Sequence, residues 1–283
     1  MGGCLYLMTT HLIVGATGKT GRRVLDRLTQ RNAAVYTLSR PEFDWANPLT
    51  WSSAEVGADN AYLTYAPDIS FPGAPEAVAE VADRMFAAGT RNVVLMSGRG
   101  APEAQRAEGL LADLAFTHDA TWSAVRSAFL MQNFDEGFLA ESIALGEFQF
   151  PADLVREPFV DAEDVADVAA ALMLGDVPGN RAVELTGPEL LTFAEATAHI
   201  SEATGRPIAY LPITDDEFVA GMLDAGLPAE FAQGLGELVA LELDGRNESL
   251  TDGVRLALGR TPRDFAGYAL AAARSNAWSH ALT

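Results

Sequence analysis

The chain has 283 residues and carries 39 Asp and Glu against 19 Lys and Arg, a formal net charge of -20. Such a balance repels phosphate backbones and anionic lipid, which excludes nucleic acid as the main partner. Half of the residues are hydrophobic, enough for a sizeable core. The single cysteine and four scattered histidines exclude a disulfide framework within the chain and the common zinc spacings.

The opening stretch MGGCLYLM is apolar but shorter than a secretory signal, and Tyr6 stands where a myristoylation signal needs Ser or Thr. Cys4 is expected in a loose N-terminus, with Met1 and Met8 both available as start residues. Residues 11–14, HLIV, read as a short buried strand. RRVLDRLTQRN follows with Val24, Leu25 and Leu28 at helical spacing. AAVYTLSR and NAYLTYAP read as strands, and PEAVAEVADRMFAAG as a helix stopped by Gly89. NVVLMSG is a strand, PEAQRAEGLLADLA a helix, TWSAVRSA a strand, DAEDVADVAAALMLG a helix and RAVELTG a strand. This alternation predicts an α/β fold, a Rossmann-like parallel sheet with helices on both faces. Beyond Gly187 it fades. LTFAEATAHISEATG, DDEFVAGMLDAG and PAEFAQGLGELVALELDG read as helices around one strand, RPIAYLPI. The expected division is 8–187 for the nucleotide-binding domain and 188–283 for a smaller, mainly helical lobe, with 146–160 crossing over to it. No apolar run reaches the ~18 residues of a membrane span, and a cytoplasmic location is expected.

The first strand runs into G-x-x-G-x-x-G, formed by Gly15, Gly18 and Gly21, and a helix follows. In that context the pattern suits a pyrophosphate. Gly15 permits a tight turn, Gly18 lets backbone approach the phosphates, and Gly21 lets helix and strand pack closely. The helix N-terminus adds free N–H groups and the positive end of its dipole. Where an NAD site places an acid after the second strand, this chain has Ser39 and Arg40, and no acid appears before Glu42. An arginine there suits the 2′-phosphate of NADP. Lys19, the only lysine in the chain, adds a cation to the same loop.

Taken together, IVGATGKTGRRV, FDWANPLTW, GADNAYLTYAP, NVVLMSG, VRSAFLMQNF, VDAEDVADVAAALM and GRTPRDFAGYALAAARSNAW resemble the NmrA-like atypical short-chain dehydrogenases, over about residues 10–278. The resemblance implies a Rossmann domain with a small C-terminal lobe, a substrate cleft between them, and NADP(H) as cofactor. It assigns the cofactor to Gly15, Thr17, Gly18, Lys19, Thr20, Gly21, Ser39, Arg40, Phe43, Asp44, Thr64, Tyr65, Ala66, Pro67, Ser97 and Gly98. It places FLMQNF at the nicotinamide end, where Met131 and Phe134 would form an apolar wall and Gln132 and Asn133 polar handles. Plain core packing is an equal reading of that segment. Trp45, Trp51 and Trp122 are expected in the core. The acids of DAEDVADV are expected mostly at a solvated helix start, with Asp161 or Asp164 as a cap, and Arg263 and Asp264 in a structural turn.

No tyrosine is followed four residues later by lysine, so the Y-x-x-x-K pair of typical short-chain dehydrogenases is absent. Relatives often carry a histidine or lysine on the helix that here holds Gln105 and Glu108. Catalytic residues are therefore unassigned. Hydride transfer needing little acid–base help remains, which points to a quinone-like or polyketide-like aromatic substrate in bacterial secondary metabolism, such as antibiotic biosynthesis. The alternatives are a non-catalytic NADP(H)-binding redox sensor and an enzyme coupling aromatic polyketide units. A homodimer is compatible with all three.

Overall fold

The computed structural model describes residues 9–137 and 139–279, so Cys4 and both candidate starts lie outside the described residues. In chain order the elements are β1 (Thr10–Val14), α1 (Lys19–Gln30), β2 (Ala34–Leu38), β3 (Asn60–Leu63), α2 (Ala74–Ala87), β4 (Asn92–Gly98), α3 (Pro102–Thr117) and β5 (Thr121–Ser127). They continue as α4 (Leu139–Leu145), β6 (Glu147–Phe150), β7 (Arg156–Glu157), α5 (Ala162–Leu174), β8 (Arg181–Leu185), β9 (Leu191–Thr192), α6 (Phe193–Thr204) and β10 (Ala209–Pro212). The last are α7 (Asp215–Asp224), α8 (Ala229–Glu242), α9 (Gly253–Leu258) and α10 (Phe265–Arg274).

The main sheet is parallel, with strand order β2-β1-β3-β4-β5-β8. The order reverses beside β1, which has β2 on one side and β3 on the other. Leu12, Ile13, Val14, Val93, Val94 and Leu95 are wholly buried, as near-continuous apolar runs require when helices cover both faces. Among the described residues no helix is long and apolar enough to cross a membrane.

Compactness divides the chain differently from a single cut near Gly187. One unit comprises residues 1–98, 102–126 and 165–183; the other comprises 99–101, 127–164 and 184–283. The second unit gathers three separate stretches because its core is aromatic and draws on all of them but the shortest. Phe134, Phe148, Phe150, Phe159, Phe193 and Phe265 are buried together, with Phe134 edge to face on Phe148, Phe159 and Phe265, and Phe159 edge to face on Phe193. Residues 146–160 belong to this core: β6 pairs in parallel with β10, and β7 pairs antiparallel with β9. Trp45 and Trp51 are buried as expected, whereas Trp122 is half-buried.

The acids of DAEDVADV need correcting. Asp161 and Asp164 are buried rather than solvated. Asp161 caps α5 by accepting the Glu163 N–H at 2.8 Å, and Asp164 takes Arg260 at 2.7 Å, the Arg263 guanidinium and the Arg263 N–H at 2.7 Å. Asp167 is paired with Arg27 of α1 at 2.6 Å. Arg263 and Asp264 are structural, as read: Asp264 caps α10 by accepting the Gly267 N–H at 2.6 Å.

Candidate cofactor and active site

Gly15 ends β1 with φ +86, a left-handed backbone, and its N–H donates to the Leu38 carbonyl at 2.8 Å. A Cβ there would clash with the Thr64 methyl group. Gly18 is the N-cap of α1; its N–H closes the turn onto the Gly15 carbonyl at 3.0 Å. A Cβ on Gly21 would strike the Gly15 carbonyl, so α1 lies as close to the loop as backbone permits. No side chain caps α1 and no acid stands in its first turn. The first turn of α1 therefore presents the positively polarised end of the helix dipole, as a site for an anion requires.

Several predicted residues come together here in the first unit. Ser39 and Arg40 follow β2; Arg40 is exposed, and no described carboxylate pairs with it. Phe43 is buried against Trp45, whose indole N–H donates to the Thr64 carbonyl at 2.9 Å and whose ring packs on Tyr65 at 4.9 Å. One tryptophan thus ties the segment after β2 to the segment after β3. Asp44 organises its own loop: its carboxylate accepts the Ala46 N–H at 3.0 Å and its carbonyl the Trp51 indole at 3.0 Å. Ala66 and Pro67 are exposed. Ser97 and Gly98 end β4, whose Leu95 aligns with Leu63 of β3, itself aligned with Val14 of β1. All these positions share the carboxyl-terminal end of the sheet, where open α/β folds bind ligands.

The others stand apart. Thr17 is exposed on the loop, but the Thr20 hydroxyl is buried and accepts the Tyr62 O–H at 2.8 Å. Burial pushes the Tyr62 phenol up, so that bond persists across the ordinary pH range. Met131, Gln132 and Phe134 are buried in the second unit. The Gln132 amide donates to Asp161 at 2.8 Å and accepts the Ala162 N–H at 2.7 Å, so its polar ends hold the entry to α5. Of FLMQNF, Asn133 is half-buried. An open depression of about 520 Å³ in the same unit, lined by Thr204, Arg206 and Arg274, contains none of the predicted residues. Its Arg206 is committed to the carbonyls of Ala144 and Trp278, at 3.0 and 3.1 Å.

Two buried polar clusters were not foreseen. Glu108 of α3 accepts the Ser97 hydroxyl at 2.5 Å and is held in bidentate fashion by Arg126 of β5. It interrupts the buried stripe Ala104, Ala107, Leu111 and Ala115, and an acid on the apolar face of a helix is a signal readable from spacing alone. In the second unit Arg99 donates to Glu184 and the Asn247 carbonyl, both at 2.5 Å, and to Ser249 at 2.7 Å. Beside it Glu157 is 2% exposed with one carboxyl oxygen unpartnered. Burial pushes this carboxyl up to about 8, against the pull of Arg99 and Asn247. Among the described residues no group of acids, His or Cys could hold a metal ion.

Comparison with known proteins fits this geometry. No family model matches the chain. It is 30% identical over 273 residues to an uncharacterised oxidoreductase, YesF, of Bacillus subtilis, covering 92% of this chain and 94% of that one. The fold is that of the triphenylmethane reductase of Citrobacter sp. complexed with NADP(H), at TM-score 0.72 and 17% identity, over 93% of this chain and 99% of the other. It is equally that of an NADPH-dependent quinone oxidoreductase of Escherichia coli complexed with NADPH, at TM-score 0.72 and 18% identity, over 92% and 98%. The chain belongs to the NmrA-like atypical short-chain dehydrogenase/reductase family.

Proposed function

We propose that the protein is an NADP(H)-dependent oxidoreductase of the cytoplasm, acting in bacterial secondary metabolism as a homodimer on quinone-like or polyketide-like aromatic acceptors. The observation that carries the cofactor is the uncapped first turn of α1 behind the Gly15–Gly18–Gly21 loop, with exposed Arg40 at the end of β2. The loop and the Lys19, Thr20 and Gly21 amides would hold the pyrophosphate, and Arg40 the 2′-phosphate. Phe43 and Asp44 would flank the adenine end, and Thr64 to Pro67 the middle of the dinucleotide. When bound, the cofactor supplies a hydride. Relatives and neighbours named as oxidoreductases support the reading.

The acceptor class follows from what the chain lacks. A quinone stabilises the electrons it gains as a phenolate, whereas the alkoxide of an isolated ketone needs an acid close by. With no Y-x-x-x-K pair, conjugated acceptors are favoured. Fluorescence titration of NADPH and NADH tests the cofactor. NADPH should bind more tightly, and Arg40→Ala should erase about ten- to a hundredfold of that preference, the worth of a charge-assisted contact. Equal affinities in the wild type overturn the role of Arg40. Naphthoquinones should oxidise NADPH and aliphatic ketones should not. Tight NADPH binding with no turnover of any acceptor would instead favour the redox sensor, the reading that the missing Y-x-x-x-K pair also allows.

A further inference from the structure

The depression of about 520 Å³ on α6 and α10 lies wholly within the second unit and has no part in the nucleotide loop. No carboxylate lines it, although the chain carries 39 acids against 19 Lys and Arg. Arginines elsewhere meet acids, as Arg27 meets Asp167, Arg84 meets Glu80 and Arg246 meets Asp244. Arg206 and Arg274, which both line the depression, meet none among the described residues. Arg206 is half-buried and gives two of its five N–H groups to the carbonyls of Ala144 and Trp278. A carbonyl accepts a hydrogen bond but cancels no charge, so a partly desolvated guanidinium is left without a counter-ion. Arg274 is exposed in the last turn of α10, where the helix dipole favours a cation; that accounts for one arginine and not for both. The wall beside them is apolar, formed by Ala203, Ala273 and Leu270, which is 48% exposed. A leucine held half in water next to uncompensated cations suits a ligand with an anionic head and an apolar body.

We propose that this depression is a second ligand site, which takes an organic carboxylate whose head pairs with Arg274 and Arg206 and whose hydrocarbon or aryl body covers Leu270, Ala203 and Ala273. The site goes beyond the oxidoreductase reading and stands without it. Charge selects the class. The guanidinium fork matches the two oxygens of a carboxylate, and such charge-assisted bonds are roughly twice as strong as neutral ones. The net charge of -20 disfavours the approach of any anion, so a bare inorganic ion, with no apolar surface to bury, gains little here. A body that covers Leu270 adds the hydrophobic contribution that a bare ion lacks. The volume of about 520 Å³ falls within the roughly 300–1,000 Å³ of small-molecule sites.

The test uses the full chain with excess NADP+ present, so that the glycine loop is occupied. Dansylglycine, a fluorescent carboxylate with an aryl body, is titrated beside dansylglycinamide, the same body without the charge. The carboxylate should bind about tenfold more tightly than the amide, and the gap should narrow as salt is raised. Its affinity should fall about fivefold in Arg274→Ala and at least about tenfold in Arg274→Glu, while the amide responds to neither. Leu270→Ser should weaken both probes about fivefold, since both lose the same apolar cover. Arg206→Ala would also release the carbonyls of Ala144 and Trp278, so the exposed Arg274 and Leu270 carry the test, and their variants should melt with the wild type. Equal affinity for carboxylate and amide overturns the proposal, as does carboxylate binding that Arg274→Glu leaves unchanged. Absence of dansylglycine binding below about 1 mM overturns it too. So does displacement of dansylglycine by NADP+, which would put the probe in the nucleotide site. Failure of the wild type to bind NADP+ would count against the oxidoreductase reading alone and leaves these outcomes in force.

Discussion

Gly18 and Gly21 separate binding from folding. A Cβ on Gly18 would lie 3.3 Å from the Gly15 carbonyl oxygen, tight but tolerable. The same Cβ narrows the approach of a pyrophosphate to the backbone. Gly18→Ala should therefore melt close to the wild type and bind NADPH at least about tenfold more weakly. Gly21→Ala drives a methyl group into backbone and should instead lower stability by about 2 kcal/mol, the scale of an overpacked site. Calorimetry and NADPH titration on the two variants check the split. Glu157 makes a prediction about pH. Its carboxyl rises from 4.5 in the unfolded chain to about 8 when buried. Stability tied to this group is thus fully present below pH 4.5 and lost as pH rises toward 8. Glu157→Gln removes the titration. It should be more stable than the wild type at pH 9, by up to about 5 kcal/mol at ~1.4 kcal/mol per pH unit, with the advantage vanishing near pH 5. Denaturant melts at the two pH values read it; a constant difference between them would mean that Glu157 is ionised throughout.

Elements in this chain are pinned at their ends by side chains distant in sequence. The turn before α10 is held by Asp164 near the start of α5, which is wholly buried and satisfies Arg260, Arg263 and one backbone N–H. Asp164→Ala leaves these donors without their acceptor and should cost about 2–4 kcal/mol, with early protection loss across residues 260–274 in hydrogen exchange. A loss confined to α5 would show that the turn is held otherwise. α6 and α7 are secured locally, by capping boxes in which Thr192 and Thr214 each exchange hydrogen bonds with a glutamate three residues on. Both T-x-x-E patterns are legible in the sequence. The Asp164 pairing is not, because its partners lie 96 and 99 residues away.

The whole molecule carries its charge unevenly paired, since 39 acids face only 19 Lys and Arg. Most ion pairs among the described residues, such as Arg84–Glu80 and Arg106–Glu103, are exposed and contribute little each. The surplus acids repel one another, and that repulsion disfavours the compact state. Melting temperature should rise as sodium chloride is raised from ~10 to ~150 mM, where the screening length falls from about 30 to 8 Å. A fall on adding salt would show that the visible pairs outweigh the excess.

Legible without coordinates are the alternation of strands and helices, the glycine loop with Arg40 beyond the second strand, and the missing Y-x-x-x-K pair. These are local patterns: apolar periodicity, backbone demands at Gly15 and Gly21, and residues at fixed spacing. The tertiary structure alone decided which polar groups are buried and whom they meet. Spacing puts Glu108 on the apolar face of α3, but only β4 and β5 bring Ser97 and Arg126 to it. Met131 and Phe134 read equally as cleft or core until the aromatic cluster claims them. The division of the chain escaped prediction for the same reason. Residues 127–164 follow the sheet in sequence, yet their phenylalanines are buried among side chains from beyond residue 190, and burial of apolar surface, not chain continuity, sets where a compact unit closes.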